Sequence, residues 1–366
     1  MAKKINWKSI FGWGVAALVV IGIIGGNIYQ QKNKNADTIR IGVIAPMTGA
    51  NALMGKQFQR GLELLKKDKK YDVSYELIYE DDQMLATNTV TAARRLIDLK
   101  NVDVILTYCS QAAGAIASIV EENKILHFSG SSDMSLTQRG YNYIMGPTPE
   151  DDMKTLFSYL KKQGYQRLAL ILENDSYVKL VRPYMHQFAK EAGISIVFED
   201  SVQPTERDFR VLVMKAEKEN PDIYILQAFN PIFDILTRQL KQYAPDKPFT
   251  GAYVAGSQSQ QPELLENQAF LDVDTTDADF IQKYQKEYQT KPEQMAVIAY
   301  PMLDILLKTI ETGVDLKDEK AFQKALKKVN EDNTTILGKV RIDGRKLNYY
   351  PIVQKFKGGK LVPVGE

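Results

Sequence analysis

From Thr38 onward, short apolar runs rich in β-branched residues alternate with longer stretches whose apolar residues recur at helical spacing. Ile39–Ala45 is the first such run, and Gly55–Lys67 follows it as a helical stretch, which predicts one strand–helix unit. The strand pattern returns at Val73–Tyr79, Asp103–Tyr108 and Lys124–Ser129, with helical stretches at Thr87–Leu99 and Ala112–Glu122 between them. Strands alternating with helices predict a parallel sheet covered on both faces, because each parallel connection must cross back over the sheet.

Gly146, Pro147, Thr148 and Pro149 interrupt the alternation and read as a linker. A second series follows, with helices expected at Asp151–Gln163, Tyr177–Ala192, Asp208–Glu219 and Ile232–Tyr243. Its strands are expected at Arg167–Leu172, Ser195–Phe198, Ile223–Gln227 and Phe249–Val254, so the second lobe repeats the first. Asp277–Tyr288, Glu293–Thr312 and Glu319–Val329 are three consecutive helical stretches, followed by strand patterns at Gly338–Ile342, Tyr350–Phe356 and Leu361–Val364. The long helix of this tail is expected to return and cover the first sheet, since the tail has too few strands for a core of its own.

The N-terminus has a different pattern. Lys3, Lys4 and Lys8 precede an uncharged run of 19 residues, Ile10–Ile28, long enough to cross a bilayer core as a helix. A cleaved signal peptide is the rival, but its apolar region is roughly 7–15 residues and ends in an Ala-x-Ala-like site, whereas this run ends in Ile23, Ile24, Gly25, Gly26 and Asn27. The expectation is a retained transmembrane helix in the cytoplasmic membrane, with residues 1–36 as stub, anchor and tether and the body on the periplasmic or extracellular side.

Composition removes several classes of function. The 366 residues carry 47 Lys and Arg against 45 Asp and Glu, so no global field favours nucleic acid. The single cysteine, Cys109, excludes an intramolecular disulfide, and with only His127 and His186 beside it no metal centre or cofactor is expected. No Gly-x-Gly-x-x-Gly, Walker loop or Gly-x-Ser-x-Gly elbow follows a strand, and His127 falls in an apolar strand run, so no enzyme chemistry is indicated. Glu80, Asp81 and Asp82 form the one acidic cluster at a strand end and read as a solvated loop.

Several segments together carry a resemblance. Ile41–Gly49, Glu80–Gln83, Tyr108–Ser110, Leu136–Tyr141, Asn174–Tyr177, Asp208–Phe209 and Asn220–Asp222 resemble, in order and spacing, the type I periplasmic binding proteins, in the leucine/isoleucine/valine-binding branch that serves ABC transporters. The resemblance implies an α/β Venus-flytrap fold: two doubly wound parallel-sheet lobes joined by three crossovers, expected near Gly146–Pro149, Asp274–Asp277 and Leu337–Gly338. Lobe 1 is then 37–147 plus 276–337, and lobe 2 is 148–275 plus 338–366.

Open parallel sheets bind ligands outside the carboxyl ends of their strands. Ser110 follows strand 3 at a helix start, where free N–H groups favour an anion. Ser129 to Asp133 follow strand 4. By position in the resembled branch, Ser110, Ser131 and Asp133 are expected to hold the ligand, Tyr177 and Phe229 to cover it, and Met54 to touch its side chain. Two departures stand out: Tyr253 replaces the acid that the branch uses for an α-ammonium, and Asp133, replacing a threonine, is expected to supply that counter-charge. Cys109 stands where relatives have half a disulfide, but Met84 occupies the partner position. The implied function is extracytoplasmic capture of a small polar ligand, an amino acid or amide, for an ABC transporter permease. The alternative is a membrane-tethered sensing domain acting through a partner protein.

Overall fold

The computed structural model describes residues 38–49, 51–253, 259, 261–273, 277–331 and 334–364, and the expected anchor and tether at residues 1–36 lie outside them. Among the described residues no helix is long and apolar enough to cross a membrane. The first sheet grows outward from β1 (Ile39–Ala45), with β2 (Tyr75–Asp81) on one side and β3 (Val104–Thr107), β4 (Leu126–Ser129) and β5 (Asn142–Met145) on the other, all parallel. Helices α1 (Ala52–Asp68), α2 (Ala86–Lys100) and α3 (Ser110–Glu122) make the crossovers. This explains why β1 is apolar on consecutive positions: Ile41 and Val43 share a core with Phe58, Leu62 and Leu65 of α1, while Ile44 faces the opposite core with Leu96 and Ile116.

The second sheet has the parallel order β7 (Ser195–Val202), β6 (Arg167–Glu173), β8 (Ile223–Gln227), β9 (Phe249–Thr250). Alternate residues of β6 divide between two cores. Leu168, Leu170 and Leu172 join Leu156 of α4 (Pro149–Lys162) and Val181 of α5 (Ser176–Ala192). Ala169 and Ile171 join Val213 of α6 (Arg210–Lys218) and Leu236 of α7 (Ile232–Tyr243). The expected strand Phe249–Val254 is shorter than its pattern: only Phe249 and Thr250 pair with β8, and Ala252 then bridges to Leu271 of β10 (Ala269–Asp272).

After α8 (Ala278–Tyr288), the buried α9 (Gln294–Ile310) packs on α1 and covers the first sheet, as its apolar pattern led one to expect. Helix α10 (Glu319–Glu331) follows. The tail then differs from expectation. β11 (Arg341–Asp343) and β12 (Lys346–Asn348) form a hairpin about Gly344, at φ +61°, and Leu347 of β12 pairs in parallel with Met145 of β5. The assignment of 338–348 to lobe 2 is therefore corrected: these residues extend the first sheet, and the third crossover falls at 349–351 rather than at Leu337–Gly338. Only β13 (Ile352–Lys357) and β14 (Lys360–Pro363) belong to the second lobe, in an antiparallel sheet with β10.

Strands β5 and β10 were not evident from the apolar pattern. In β5 the reason is Asn142, a polar residue buried because its side chain bonds the His127 ring (2.9 Å) and the Ala117 carbonyl (3.2 Å).

Candidate functional site

A cavity of about 620 Å³ opens where the carboxyl ends of both sheets face each other. First-lobe residues reach it from the first turn of α1 (Met54), from the end of β3 (Tyr108 to Gln111) and from beyond β4 (Ser132). Second-lobe residues reach it from the end of β6 (Glu173 to Tyr177), from beyond β8 (Phe229 to Ile232) and from beyond β9 (Tyr253). Gly146, Pro147 and Tyr349, in two of the crossovers, close its floor. Of the residues expected from sequence, Met54, Ser110, Tyr177, Phe229 and Tyr253 come together here; Ser131 and Asp133 do not line it.

The first-lobe wall centres on Ser110. Cys109 ends the extended chain at φ −153° and α3 begins at Ser110 with no side-chain cap and no acidic residue in its first turn. Among the described residues only the Cys109 sulfur, a weak acceptor, bears on the Gln111 and Ala112 N–H groups, so this helix start still favours an anion. Ser110 Oγ accepts from Ser131 Oγ (3.0 Å) and from the Ser132 N–H (3.2 Å), so its own O–H is the donor still free to serve a ligand. Ser131, fully buried, sits behind the wall; its Oγ also accepts from the Asp133 N–H at 2.9 Å.

Asp133 is a correction. Its Oδ1 accepts from the Ser135 N–H (3.0 Å) and Ser135 Oγ (2.6 Å), capping the short helical turn Met134–Gln138 outside the cavity. Its Oδ1 is held by its own turn, and the residue does not line the cavity. Asp133→Ala is expected to cost about 1 kcal/mol of stability through the lost cap. In calorimetric titration it should leave ligand affinity within about twofold, a change of roughly 0.4 kcal/mol.

The second-lobe wall is aromatic. Tyr177 stands edge-to-face with Phe229 (ring centroids 6.4 Å apart) and with Tyr253 (6.0 Å). Both tyrosine hydroxyls turn away from the cavity to Asp152, a fully buried residue of α4: Tyr177 Oη donates to Oδ2 at 2.9 Å and Tyr253 Oη to Oδ1 at 2.5 Å. Burial pushes the Asp152 carboxyl up to about 7, against the two phenol hydrogen bonds that favour its charged form. Tyr253 takes φ +60°, and the Gln227 side chain holds that turn by bonding both the N–H (2.8 Å) and the carbonyl (2.9 Å) of Ala252.

A family model described as "Periplasmic binding protein" matches residues 38–360. The chain belongs to the periplasmic binding protein family. Its relatives are those of the leucine/isoleucine/valine-binding branch that the sequence resembled. The leucine-specific-binding protein of Salmonella typhimurium is 27% identical over 258 residues, covering 67% of this chain and 68% of that protein. The crystal structure of a leucine binding protein from Thermotoga maritima superposes with a TM-score of 0.80 at 21% identity, over 89% of this chain and 98% of that one. A solute binding protein of an ABC transporter from Rhodopseudomonas palustris, in complex with 3,4-dihydroxybenzoic acid, gives a TM-score of 0.78 at 20% identity, over 90% and 96%.

In this periplasmic binding protein the acids on the cavity are Glu173 and Asp175, which sequence reasoning missed. Glu173, the last residue of β6, is 7% exposed, and its Oε2 accepts from the Phe229 N–H at 2.7 Å. Asp175 Oδ1 caps α5 through the Val178 N–H (2.8 Å), while Oδ2 is buried and accepts no hydrogen bond among the described residues. Both carboxyls are raised, first by burial and also by neighbouring negative charge on Glu173 from Asp175. The signal was available for Glu173, since it ends a strand; Asp152 and Tyr349 had none.

The remaining chemistry-bearing residues are structural. His127 is held between Thr107 Oγ1 and Asn142 Oδ1, both at 2.9 Å, and burial lowers it to about 4, so the ring is neutral. Burial pushes the Cys109 thiol up to about 11, far from a nucleophile. Asp81 pins the β1–α1 loop through the Met47 N–H (2.8 Å) and Thr48 Oγ1 (2.5 Å), and Asp82 binds Thr89 Oγ1 (2.9 Å), so these carboxylates staple loops.

Proposed function

We propose that this protein captures a small zwitterionic ligand, an amino acid with an apolar side chain, between its two lobes outside the cytoplasm and presents it to an ABC transporter permease. The observation that carries the reading is the polarity of the cavity: a helix start with Ser110 and no side-chain cap on the first lobe, and on the second the buried Glu173 and the half-buried Asp175 beside an aromatic wall. The ligand carboxylate belongs at Ser110 and the α3 N–H groups, its ammonium at Glu173 and Asp175, and its side chain against Tyr177, Phe229 and Tyr253. A ligand with opposite charges toward opposite lobes draws them together, which supplies the differential affinity that closure needs. The name of the Salmonella relative, leucine-specific, supports an amino acid, and the cavity volume lies within the usual range for small-molecule sites. Binding without turnover is part of this reading. So is a membrane tether, which rests on the run Ile10–Ile28 alone.

A thermal-shift panel of apolar amino acids, amides and aromatic acids tests the proposal. A cognate amino acid at a hundred times its Kd is expected to add about 2.7 kcal/mol of stability. The same ligand should reduce the radius of gyration in solution scattering. Stabilisation by none of the panel, or binding with no compaction, would count against it.

A further inference from the structure

The cavity wall of the second lobe depends on a residue that never reaches the cavity. Asp152 lies on α4, four residues beyond Thr148 at the end of the first crossover, and is fully buried. Each of its carboxylate oxygens is taken by one phenol, from α5 and from the turn after β9, two elements that do not follow one another in the chain. Without that acid the two hydroxyls would need other partners, and both tyrosines line the cavity. Tyr253 is moreover held in a left-handed backbone conformation, uncommon for a residue with a side chain, so its ring direction is imposed from outside the turn.

We propose that Asp152 is the positioning residue for ligand selection: by clamping Tyr177 and Tyr253 it turns ring faces to the cavity and hides both hydroxyls, so that the second lobe accepts an apolar side group and rejects a polar one of the same shape. The inference rests on the cavity being the ligand site. Asp151, beside Asp152 on the same helix, is paired with Arg341 (3.3 Å). Tyr177 and Tyr253 donate to Asp152. Tyr349 of the third crossover, a neutral phenol raised by burial, faces Asp152 and also Asp272 at the end of β10, whose own carboxyl burial pushes up to about 7, and Asp175 faces Tyr177. Because the carboxyl sits at about 7, the clamp gains its charge near neutral pH, which strengthens both phenol hydrogen bonds.

The test uses the full chain and the near-isosteric probes L-valine and L-threonine. Wild type is expected to prefer valine by at least about tenfold, a scale at which apolar pockets discriminate hydroxyls. Asp152→Asn, which keeps one acceptor and the volume, should shrink that ratio to about threefold or less while both affinities remain measurable. An unchanged ratio would overturn the proposal. A ligand-free readout separates this from failure of the capture reading. The near-ultraviolet circular dichroism of wild type should change with a midpoint near pH 7, and the change should vanish in Asp152→Asn and in the Tyr177→Phe/Tyr253→Phe double variant. If neither probe binds wild type but this transition is present and disappears as stated, the clamp stands and the amino-acid reading falls. If, in a background carrying Asp272→Asn to remove the other buried carboxyl near 7, the transition survives Asp152→Asn, the clamp itself is refuted.

Discussion

Glu173→Gln is expected to lower the affinity for an apolar amino acid by at least about thirtyfold and to leave the matching deaminated acid almost unaffected. The reason is electrostatic. Glu173 is nearly fully buried at the end of β6, Asp175 offers a buried oxygen without a partner, and Lys179 is the single cationic residue among those lining the cavity. Among the described residues the buried Glu173 has no cation beside it and the half-buried Asp175 has only Lys179, and both carboxyls are displaced upward, first by the cost of burial. A ligand ammonium relieves that cost, and removing one member of a desolvated, hydrogen-bonded charge pair loses roughly 2–5 kcal/mol. The amide of Gln preserves the volume, and its oxygen can still accept from the Phe229 N–H, so the loop after β8 is expected to keep its place. Calorimetric titration of L-leucine and of 4-methylpentanoate into both proteins reads the difference. Equal losses for the two probes would show that Glu173 acts on the wall rather than on an amine. Equal affinities of the two probes for wild type would place no amine there at all.

Gly55→Ala should be among the most destabilising single-methyl changes in the first lobe. A Cβ at this position would lie 2.1 Å from the Pro46 carbonyl oxygen and 2.5 Å from its carbon, both backbone atoms that no rotamer change can move aside. Gly55 lies in the first turn of α1, directly over the end of β1, so relief requires helix and strand to separate. Overpacking typically costs about 1–3 kcal/mol, and a backbone collision belongs at or above the upper end. At about 2–4 °C per kcal/mol for a lobe of this size, Tm should fall by roughly 6–12 °C in differential scanning calorimetry. The same helical turn carries Met54 of the cavity wall, so binding should weaken as well. A Tm within roughly 1 °C of wild type would mean that β1 and α1 can part without cost, contrary to their shared core.

The alternation of strand and helix and the long apolar helix returning to the first sheet were legible along the chain, because apolar periodicity records which faces are buried. Ser110 could be placed locally, at a strand end where such sheets bind ligands; Tyr177, Phe229 and Tyr253 were expected by position in the resembled branch, and all four line the cavity. Other features depend on what lies opposite. The pattern at 338–348 says strand but cannot say beside which strand, and pairing of Leu347 with Met145 settled it for the first sheet. Asp133 and Asp152 were both acids near turns; one is consumed by its own helical turn, the other by two phenols distant in sequence. Whether a carboxylate caps a turn, clamps a wall or waits for a cation is decided by its partners and its burial, and those are set only when the two sheets and three crossovers bring separate segments together.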